Sequence, residues 1–251
     1  MSSTATDIPH RWPGEAIEAV LIERPNKFLA ICRLGRRTVE AHVPDRGRCL
    51  DLLVPGRTVA VVAVRLPATG DRPPVRKTRF TAVLARSGNG TWVSLDPAGA
   101  PRLVEEALRR SLLPSLAGLR VVQREVVVGF SRIDLLLAGG RHPVAGGRIL
   151  CEVKSVGAQR DGIALFPDAP TERGARHLAL LSSLARRGRR CAIVFCAQRG
   201  DVSAVAPDEE IDPIFAAALR RAVRAGVTVA AVRCAASPAG MQVEGEIAVL
   251  S

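Results

Sequence analysis

The chain has 251 residues, 47% of them hydrophobic, and a formal net charge of +12. This length supports one large domain or two small ones with a buried core. No apolar run approaches the roughly 20 residues of a membrane-spanning helix, and the start lacks the segments of a signal peptide, so we expect a cytoplasmic protein without a membrane partner. The charge indicates a polyanionic partner, nucleic acid first. Nearly all the basic residues are arginine, and such a bias can reflect coding composition as much as binding. A solvated basic surface without a partner is therefore the alternative.

Residues 1–14 are interpreted as a loose leader, and residues 15–86 predict a small β-barrel. Five strand-like runs are separated by turn signals; they span 16–23, 28–34, 37–43, 57–65 and 76–85. Short strands at this spacing are typical of an OB-type barrel, which offers a groove for nucleic acid. Phe28 and Phe80 lie inside strand patterns, and we expect both rings in the core.

The barrel segment carries basic residues at Arg46, Arg48 and Lys77. Their side chains can follow the phosphates of a bound strand, since contacts of this kind supply most of the non-specific affinity for nucleic acid. A solvated loop is an equal alternative, because charged side chains are normally exposed.

Residues 87–251 predict an α/β domain with a mixed sheet. Between 102 and 198 the apolar periodicity follows the order helix, strand, strand, strand, helix, strand, with helices at 102–113 and 171–187. The last strand of this order spans 191–197. It is followed by a helix at 213–225 and strands at 227–233 and 243–250.

The segment 131–154 carries the charged residues around which we expect this domain to be organised. Ser-Arg-Ile-Asp-Leu-Leu-Leu and Cys-Glu-Val-Lys predict two strands joined by a glycine-rich loop. Side chains alternate between the faces of a strand, so Glu152 and Lys154 share one face. If the strands pair as a hairpin, Asp134 lies beside Glu152. Two carboxylates and an ammonium then meet on an apolar sheet, where unpaired charges are costly.

This combination supports phosphodiester hydrolysis with Mg²⁺, for which Mn²⁺ can substitute. Mg²⁺ is usually held by one or two carboxylates together with waters and substrate phosphate. Asp134 and Glu152 supply the carboxylates, and the Val153 backbone carbonyl and Glu105 are further candidate ligands. Lys154 can orient or deprotonate the attacking water. The four histidines and six cysteines show no zinc-site spacing.

Lysine occurs only at positions 27, 77 and 154. In a chain that otherwise uses arginine, Lys154 indicates a site that needs a compact charge whose pKa can be tuned. The alternative is an ordinary surface pair, because Glu-x-Lys is common on exposed strands and contributes little there.

Several motifs resemble the sugar fermentation stimulation protein A family, and they cover nearly the whole chain. They are Pro-Asp-x-Gly-Arg (44–48), Pro-Gly (55–56), Arg-Lys-Thr (76–78), Arg-Leu-Val-Glu-Glu-Ala-Leu (102–108), Arg-Glu-Val (124–126), Ser-Arg-Ile-Asp-Leu-Leu-Leu (131–137), Glu-Val-Lys (152–154), Phe-Pro-Asp-Ala-x-Thr-Glu-Arg-Gly-x-x-His-Leu (166–178) and Ile-Asp-Pro (211–213). The block at 166–178 is the most specific of them. The chain departs from the family at 45–48, where it has Asp-Arg-Gly-Arg.

The resemblance implies an OB-like domain followed by a PD-(D/E)XK-type nuclease core. It also implies DNA binding, a link to the regulation of sugar use, and catalytic roles for Asp134, Glu152 and Lys154. We therefore expect a Mg²⁺-dependent nuclease acting on DNA, with RNA as the other candidate substrate. The alternative is a non-catalytic DNA-binding protein that regulates genes of maltose-type sugar metabolism.

The helix that begins near Thr171 carries two candidate phosphate contacts, Arg173 and His177. They are one turn apart, so they share a face of the helix. Arg132, two residues before Asp134, is a third candidate. The alternative for the helical pair is a structural role at the edge of the helix's apolar stripe.

Overall fold

The computed structural model describes residues 10–64, 78–139 and 147–250. These residues form two sheets and three α-helices. The first sheet contains β1 (Ala16–Asn26), β2 (Leu29–Leu34), β3 (Arg37–His42), β4 (Thr58–Ala63), β5 (Phe80–Arg86) and β6 (Trp92–Ser94). The rest of the chain forms α1 (Ala100–Arg109), β7 (Leu119–Val128), β8 (Ser131–Gly139), β9 (Ile149–Val156), β10 (Gln159–Arg160), β11 (Ile163–Phe166), α2 (Glu172–Arg186), β12 (Arg190–Ala197), β13 (Ala204–Pro207), α3 (Pro213–Arg224), β14 (Thr228–Ser237) and β15 (Gly240–Val249).

The first sheet is a closed barrel. Its strands run in the order β3-β2-β1-β4-β5, and a parallel pairing between β3 and β5 closes it. Strand β4 is apolar on both faces because Val59 and Val61 fill the barrel while Ala60 and Val62 pack against the second domain. The predicted OB-type barrel and the mixed sheet that follows it are confirmed.

The last strand of the barrel sheet links the two domains. Strand β6 pairs with β5, although it lies beyond residue 86, where we placed the end of the barrel. Val93 of β6 bridges to Arg199, and the Ser94 N–H donates to the Gln198 carbonyl at 3.1 Å. Backbone hydrogen bonds therefore join the barrel to the chain that leaves β12.

The second sheet has the order β10-β11-β13-β15-β14-β12-β9-β8-β7. Strands β7, β8 and β9 are antiparallel, whereas β9, β12 and β14 are parallel. Helix α1 packs on the face that carries Cys151 and Val153. Helices α2 and α3 pack on the opposite face, around Leu150. The alternation of side chains along β9 therefore decides which helix each residue meets.

The order of elements predicted for residues 102–198 is found, with additions. Thr171 caps α2 as predicted, because its Oγ1 accepts a hydrogen bond from the Gly174 N–H at 3.1 Å. Strands β10, β11 and β13 were not predicted. They have two to four residues, too few to show a period. None of the described helices is long and apolar enough to cross a membrane.

The described part of the predicted leader, residues 10–14, is held against the second domain rather than loose. Trp12 is buried, and its Nε1 donates to the Ser237 carbonyl at 2.9 Å. The Met241 N–H donates to the His10 carbonyl at 2.8 Å. Residues 1–9 lie outside the described residues.

A buried arginine fastens the junction between the domains. Arg199 has no exposed surface, and its Nε lies 2.7 Å from Asp201 Oδ1. Its Nη1 donates to the Gly157 carbonyl at 2.7 Å and lies 3.5 Å from Asp51 of the barrel domain. Its complete burial gives it a structural role.

Arg199→Met should destabilise the protein strongly, because it removes the buried guanidinium that donates to the Asp201 carboxylate and to the Gly157 carbonyl. Removing one member of a buried ion pair typically costs about 3–5 kcal/mol. Urea unfolding followed by circular dichroism measures the loss. Arg160→Met is the matched control, since the Arg160–Glu210 pair is exposed and its loss should leave the midpoint nearly unchanged. Equal effects of the two substitutions would contradict this account of the junction.

Candidate active site

The site forms where β8 and β9 separate. The two strands pair at Leu137↔Ile149 and Leu135↔Cys151, which places Asp134 opposite Glu152. There the Val153 N–H donates to Asp134 Oδ2 at 2.8 Å instead of to the backbone of β8. The predicted hairpin therefore brings the two carboxylates together, and Asp134 satisfies a backbone donor that the departing strand leaves free.

Glu152 is the most enclosed member of the cluster, with 2% of its surface exposed. Its Oε1 accepts a hydrogen bond from Lys154 Nζ at 2.6 Å and a second hydrogen bond connects it to His177 Nδ1. Its Oε2 is buried and has no hydrogen-bond partner among the described residues. A buried carboxylate oxygen without a partner is costly, so this atom is a candidate ligand for a cation or acceptor for a hydrogen-bond donor.

The two carboxylates differ in their ionisation. Burial, and then the charge of Glu152, raises the pKa of Asp134 to about 6. Burial acts on Glu152 in the same direction, but the hydrogen bond with His177 and the charge of Lys154 outweigh it and lower the pKa of Glu152. Both carboxylates are therefore mainly ionised above about pH 6.

A cleft of ≈ 450 Å³ opens over these residues between the two domains. The barrel contributes residues 44–47, and the second domain contributes β9 and residues 165–171. The charged side chains that line it are Asp45, Arg46, Asp134, Glu152, Lys154, Asp168 and Arg173. The site thus depends on both domains.

The loop at 45–49 is shaped around Asp168. The Cys49 N–H donates to Asp168 Oδ2 at 3.2 Å, and the Gly47 N–H donates to Asp45 Oδ1 at 2.8 Å. A Cβ atom at Gly47 would overlap the Asp168 carboxylate, so only glycine permits this approach. Burial raises the pKa of Asp45 to about 6, and the neighbouring charge of Asp168 adds to the effect.

The candidate phosphate contacts fall in different places. Arg46 and Arg173 are exposed and line the cleft from its two sides. Arg48 lines an adjoining smaller cleft. Arg132 lies near the β7–β8 turn, where its Nε is 2.7 Å from Glu125 Oε2. Lys77 lies outside the described residues.

Two candidates do not lie where the sequence predicted. His177 is buried, with 4% of its surface exposed, and it contacts Glu152 instead of presenting its ring to a phosphate. Glu105 forms an ion pair with Arg124, and its helix α1 packs on the face of the sheet opposite to Glu152. The structure therefore does not bring Glu105 to the carboxylate cluster.

The Val153 carbonyl keeps its place as a candidate ligand. The N–H and C=O groups of one residue point towards the same edge of an extended strand, so this carbonyl faces the side of Asp134. Among the described residues, no three His, Cys, Asp or Glu side chains form a group with metal-ligand geometry. A cation here would have two carboxylates and a backbone oxygen as its protein ligands.

Sequence reasoning missed Asp45 and Asp168 as members of the cleft. Asp168 belongs to the specific block at 166–178, and Asp45 belongs to the Asp-x-Gly motif of the barrel loop. The motifs were visible, but only the packing of the domains brings these two carboxylates together.

The chain combines an OB-type barrel, a mixed α/β domain and a carboxylate–lysine cluster between them. These features define a class of two-domain proteins with a candidate hydrolytic site. Residues 22–95 match the family model described as "SfsA N-terminal OB domain", and residues 98–240 match "Sugar fermentation stimulation protein RE domain". The chain belongs to the SfsA family.

Relatives cover most of the chain. The "Sugar fermentation stimulation protein homolog" of Chloroflexus aurantiacus is 44% identical over 94% of this chain and 86% of its own length. The homologue of Moorella thermoacetica is 42% identical over 90% of this chain and 93% of its own. A solved structure, described as Pyrococcus furiosus SfsA in complex with Ca²⁺, has a TM-score of 0.82 at 28% identity, covering 98% of this chain and 100% of that one.

Asp134→Asn should stabilise the metal-free protein at pH 8. The pKa of Asp134 is about 6 in the fold against an ordinary value of 3.8, so the folded state binds this proton more tightly than the unfolded chain. The ionised carboxylate therefore destabilises the fold above pH 6, and the penalty disappears as the pH falls towards 4. The gain should be about 1–3 kcal/mol at pH 8.

Urea unfolding in EDTA at pH 8, 6 and 4.5 measures this dependence. Asp161→Asn, in an exposed turn, is the matched control and should be neutral at each pH. If Asp134→Asn is less stable than the wild type at pH 8, the ionised Asp134 carboxylate stabilises the fold and the prediction is wrong.

Proposed function

We propose that this protein is a metal-dependent nuclease that hydrolyses phosphodiester bonds of DNA, or of RNA, in the cleft between its domains. The observation that carries the proposal is the buried Glu152 carboxylate next to Asp134 and Lys154, because its Oε2 has no hydrogen-bond partner among the described residues. Two close carboxylates in a basic protein repel phosphate unless a cation joins them.

The residues present fit Mg²⁺ or Mn²⁺. The available donors are oxygens, namely Glu152 Oε2, the Asp134 carboxylate and the Val153 carbonyl, and such donors suit hard divalent cations. The Ca²⁺ reported with the Pyrococcus furiosus protein supports a divalent cation in this family. When bound, the cation would polarise the phosphate and stabilise the charge of the leaving oxygen.

Lys154 acts on the attacking water. Its Nζ lies in the cleft, 2.6 Å from Glu152 Oε1, so it can hold a water beside the carboxylates and orient or deprotonate it. In its ammonium form Lys154 orients the water and attracts the phosphate that the carboxylates would otherwise repel, and only its neutral form can take a proton from the water.

His177 is a positioning residue for Glu152. Its hydrogen bond, together with that of Lys154, occupies Oε1 and leaves Oε2 as the free oxygen. Partners of this kind fix the orientation of a carboxylate that binds a cation. Arg173 and Arg46, on the two sides of the cleft, bind the phosphates that flank the reacting one.

Cleavage of labelled single- and double-stranded DNA and RNA tests the proposal. The wild-type protein should cut with Mg²⁺ or Mn²⁺ and not with EDTA. Lys154→Met should lower the rate by about 10²–10⁴-fold, the usual contribution of a general acid or base, and Glu152→Gln should abolish cutting. Glu210→Gln, an exposed carboxylate outside the cleft, is the control and should cut as well as the wild type.

One outcome would transfer the proposal to the alternative function. If the wild type binds nucleic acid but cuts none with either cation, and Glu152→Gln binds as well or better, the protein is a DNA-binding regulator that uses the cleft without chemistry.

Cation binding should also appear without any substrate. Mn²⁺ at about 100 times its Kd should stabilise the fold by about 2.7 kcal/mol, because only the folded chain brings the two carboxylates together. Thermal unfolding with increasing Mn²⁺ measures this. Asp134→Asn and Glu152→Gln should each remove most of the rise in Tm, whereas Asp161→Asn should keep it. An undiminished rise in both cleft variants would place the cation elsewhere.

A further inference from the structure

An exposed aromatic ring lies on the barrel beside the candidate site. Phe28 follows β1 in the β1–β2 turn, and 42% of its surface is exposed, although its position in the strand pattern predicted a core residue. Lys27 Nζ lies 5.1 Å from the centroid of its ring, and Arg46 Cζ lies 6.0 Å from it. The ring is therefore a flat apolar surface flanked by two cations.

The surface next to Phe28 is a basic cleft of ≈ 380 Å³, lined by Arg24, Asn26, Lys27, Arg46, Gly47, Arg48 and Ala169. It has no acidic lining residue, and Lys27, Arg46 and Arg48 form no ion pair with any residue that the structure describes. Their charge is available to an anionic partner.

Arg24 holds the loops of this surface in place through hydrogen bonds to their backbone carbonyls. Its Nη2 donates to the Lys27 carbonyl at 3.1 Å and to the Gly47 carbonyl at 2.9 Å, and its Nη1 donates to the Arg48 carbonyl. One guanidinium thus ties the β1–β2 turn to the loop at 46–48. The aromatic ring and the cations are held in a fixed arrangement before any ligand binds.

The basic cleft continues into the candidate active site. The two clefts share Arg46, Gly47 and Ala169 as lining residues. A polymer whose phosphate reaches the carboxylates therefore passes Arg46 and arrives at Phe28. The turn between the first two strands is also one of the regions with which OB barrels bind oligonucleotides.

We propose that Phe28 stacks on an unpaired base of a single-stranded nucleic acid, DNA or RNA, while Lys27 and Arg46 bind the adjoining phosphates. The inference rests on the proposed function only for the path of the strand from this surface to the carboxylates. In a duplex the faces of the bases are covered by their neighbours, so a ring of this kind reads single strands.

A stacked base binds the Phe28 ring more tightly than Lys27 and Arg46 do in the free protein. A base on an aromatic side chain is worth about 5- to 150-fold in affinity, whereas an exposed cation–π contact is worth about 2- to 5-fold. An arriving base therefore displaces Lys27 or Arg46 from the ring, and the released cation binds a phosphate.

Fluorescence anisotropy in EDTA, where no strand is cut, tests the proposal. The ligands are labelled oligo(dT), oligo(U), an abasic strand of the same length and a duplex. Phe28→Ala and Phe28→Leu should each weaken oligo(dT) and oligo(U) binding by about 5- to 150-fold and change binding of the abasic strand and the duplex by less than about 2-fold. Phe130→Ala is the matched control, since this fully exposed ring lies in the β7–β8 turn of the other domain.

Three results would overturn the stacking role: full affinity of Phe28→Leu for oligo(dT), equal losses on the abasic strand, or an equal loss in Phe130→Ala. Lys27→Gln separates charge from stacking, because it should weaken all strands alike and reduce the salt slope by about 0.7. The outcome is independent of catalysis. If the Phe28 dependence holds and no cation supports cutting, the nuclease proposal fails and the single-strand site stands.

Discussion

The separation of β8 from β9 is the constraint on which the site depends. Two antiparallel strands that stay paired would satisfy the Val153 N–H with a backbone carbonyl, and Asp134 would be an ordinary strand residue. Because β8 leaves the ladder, the Asp134 carboxylate takes that donor at 2.8 Å and is fixed beside Glu152. The same step leaves the Val153 carbonyl facing the opening. Backbone geometry thus creates the concentration of oxygen atoms, and the side chains complete it.

The second requirement is the packing of the barrel on this opening. Arg199 holds the junction from inside, and strand β6 adds backbone hydrogen bonds next to it. At the mouth of the cleft, Gly47 presses against the carboxylate of Asp168. These contacts convert an exposed hairpin end into an enclosed cleft. Enclosure matters for chemistry, because charges act more strongly where water is excluded.

Local patterns were enough to predict the hairpin and the members of its charged face. Glu152 and Lys154 are two residues apart on one strand, and a period of two places them together in any fold that keeps the strand. The same reasoning failed for Phe28 and His177. Both lie in apolar patterns, but whether such a residue is buried depends on what packs against it. Phe28 lies in a turn and remains 42% exposed, whereas His177 is buried beside the Glu152 carboxylate. Asp45 and Asp168 are separated by more than a hundred residues, and no spacing rule connects them.

The distribution of charge explains how a basic protein can have an acidic centre. The cleft concentrates four carboxylates, those of Asp45, Asp134, Glu152 and Asp168, against the cations of Arg46, Lys154 and Arg173. Next to it, the surface around Lys27 and Arg48 is lined by no acidic residue in the part of the chain that the structure describes. In the proposed function, a polyanion is attracted to the barrel side first, and its phosphate enters the acidic centre only when a cation offsets the carboxylates. Burial raises the pKa of both Asp45 and Asp134 to about 6. The repulsion between these carboxylates and a phosphate therefore increases as the pH rises through that value. The two proposals thus assign binding and chemistry to adjoining surfaces of opposite charge, and the shared lining residues Arg46 and Gly47 are where a strand would pass from one surface to the other.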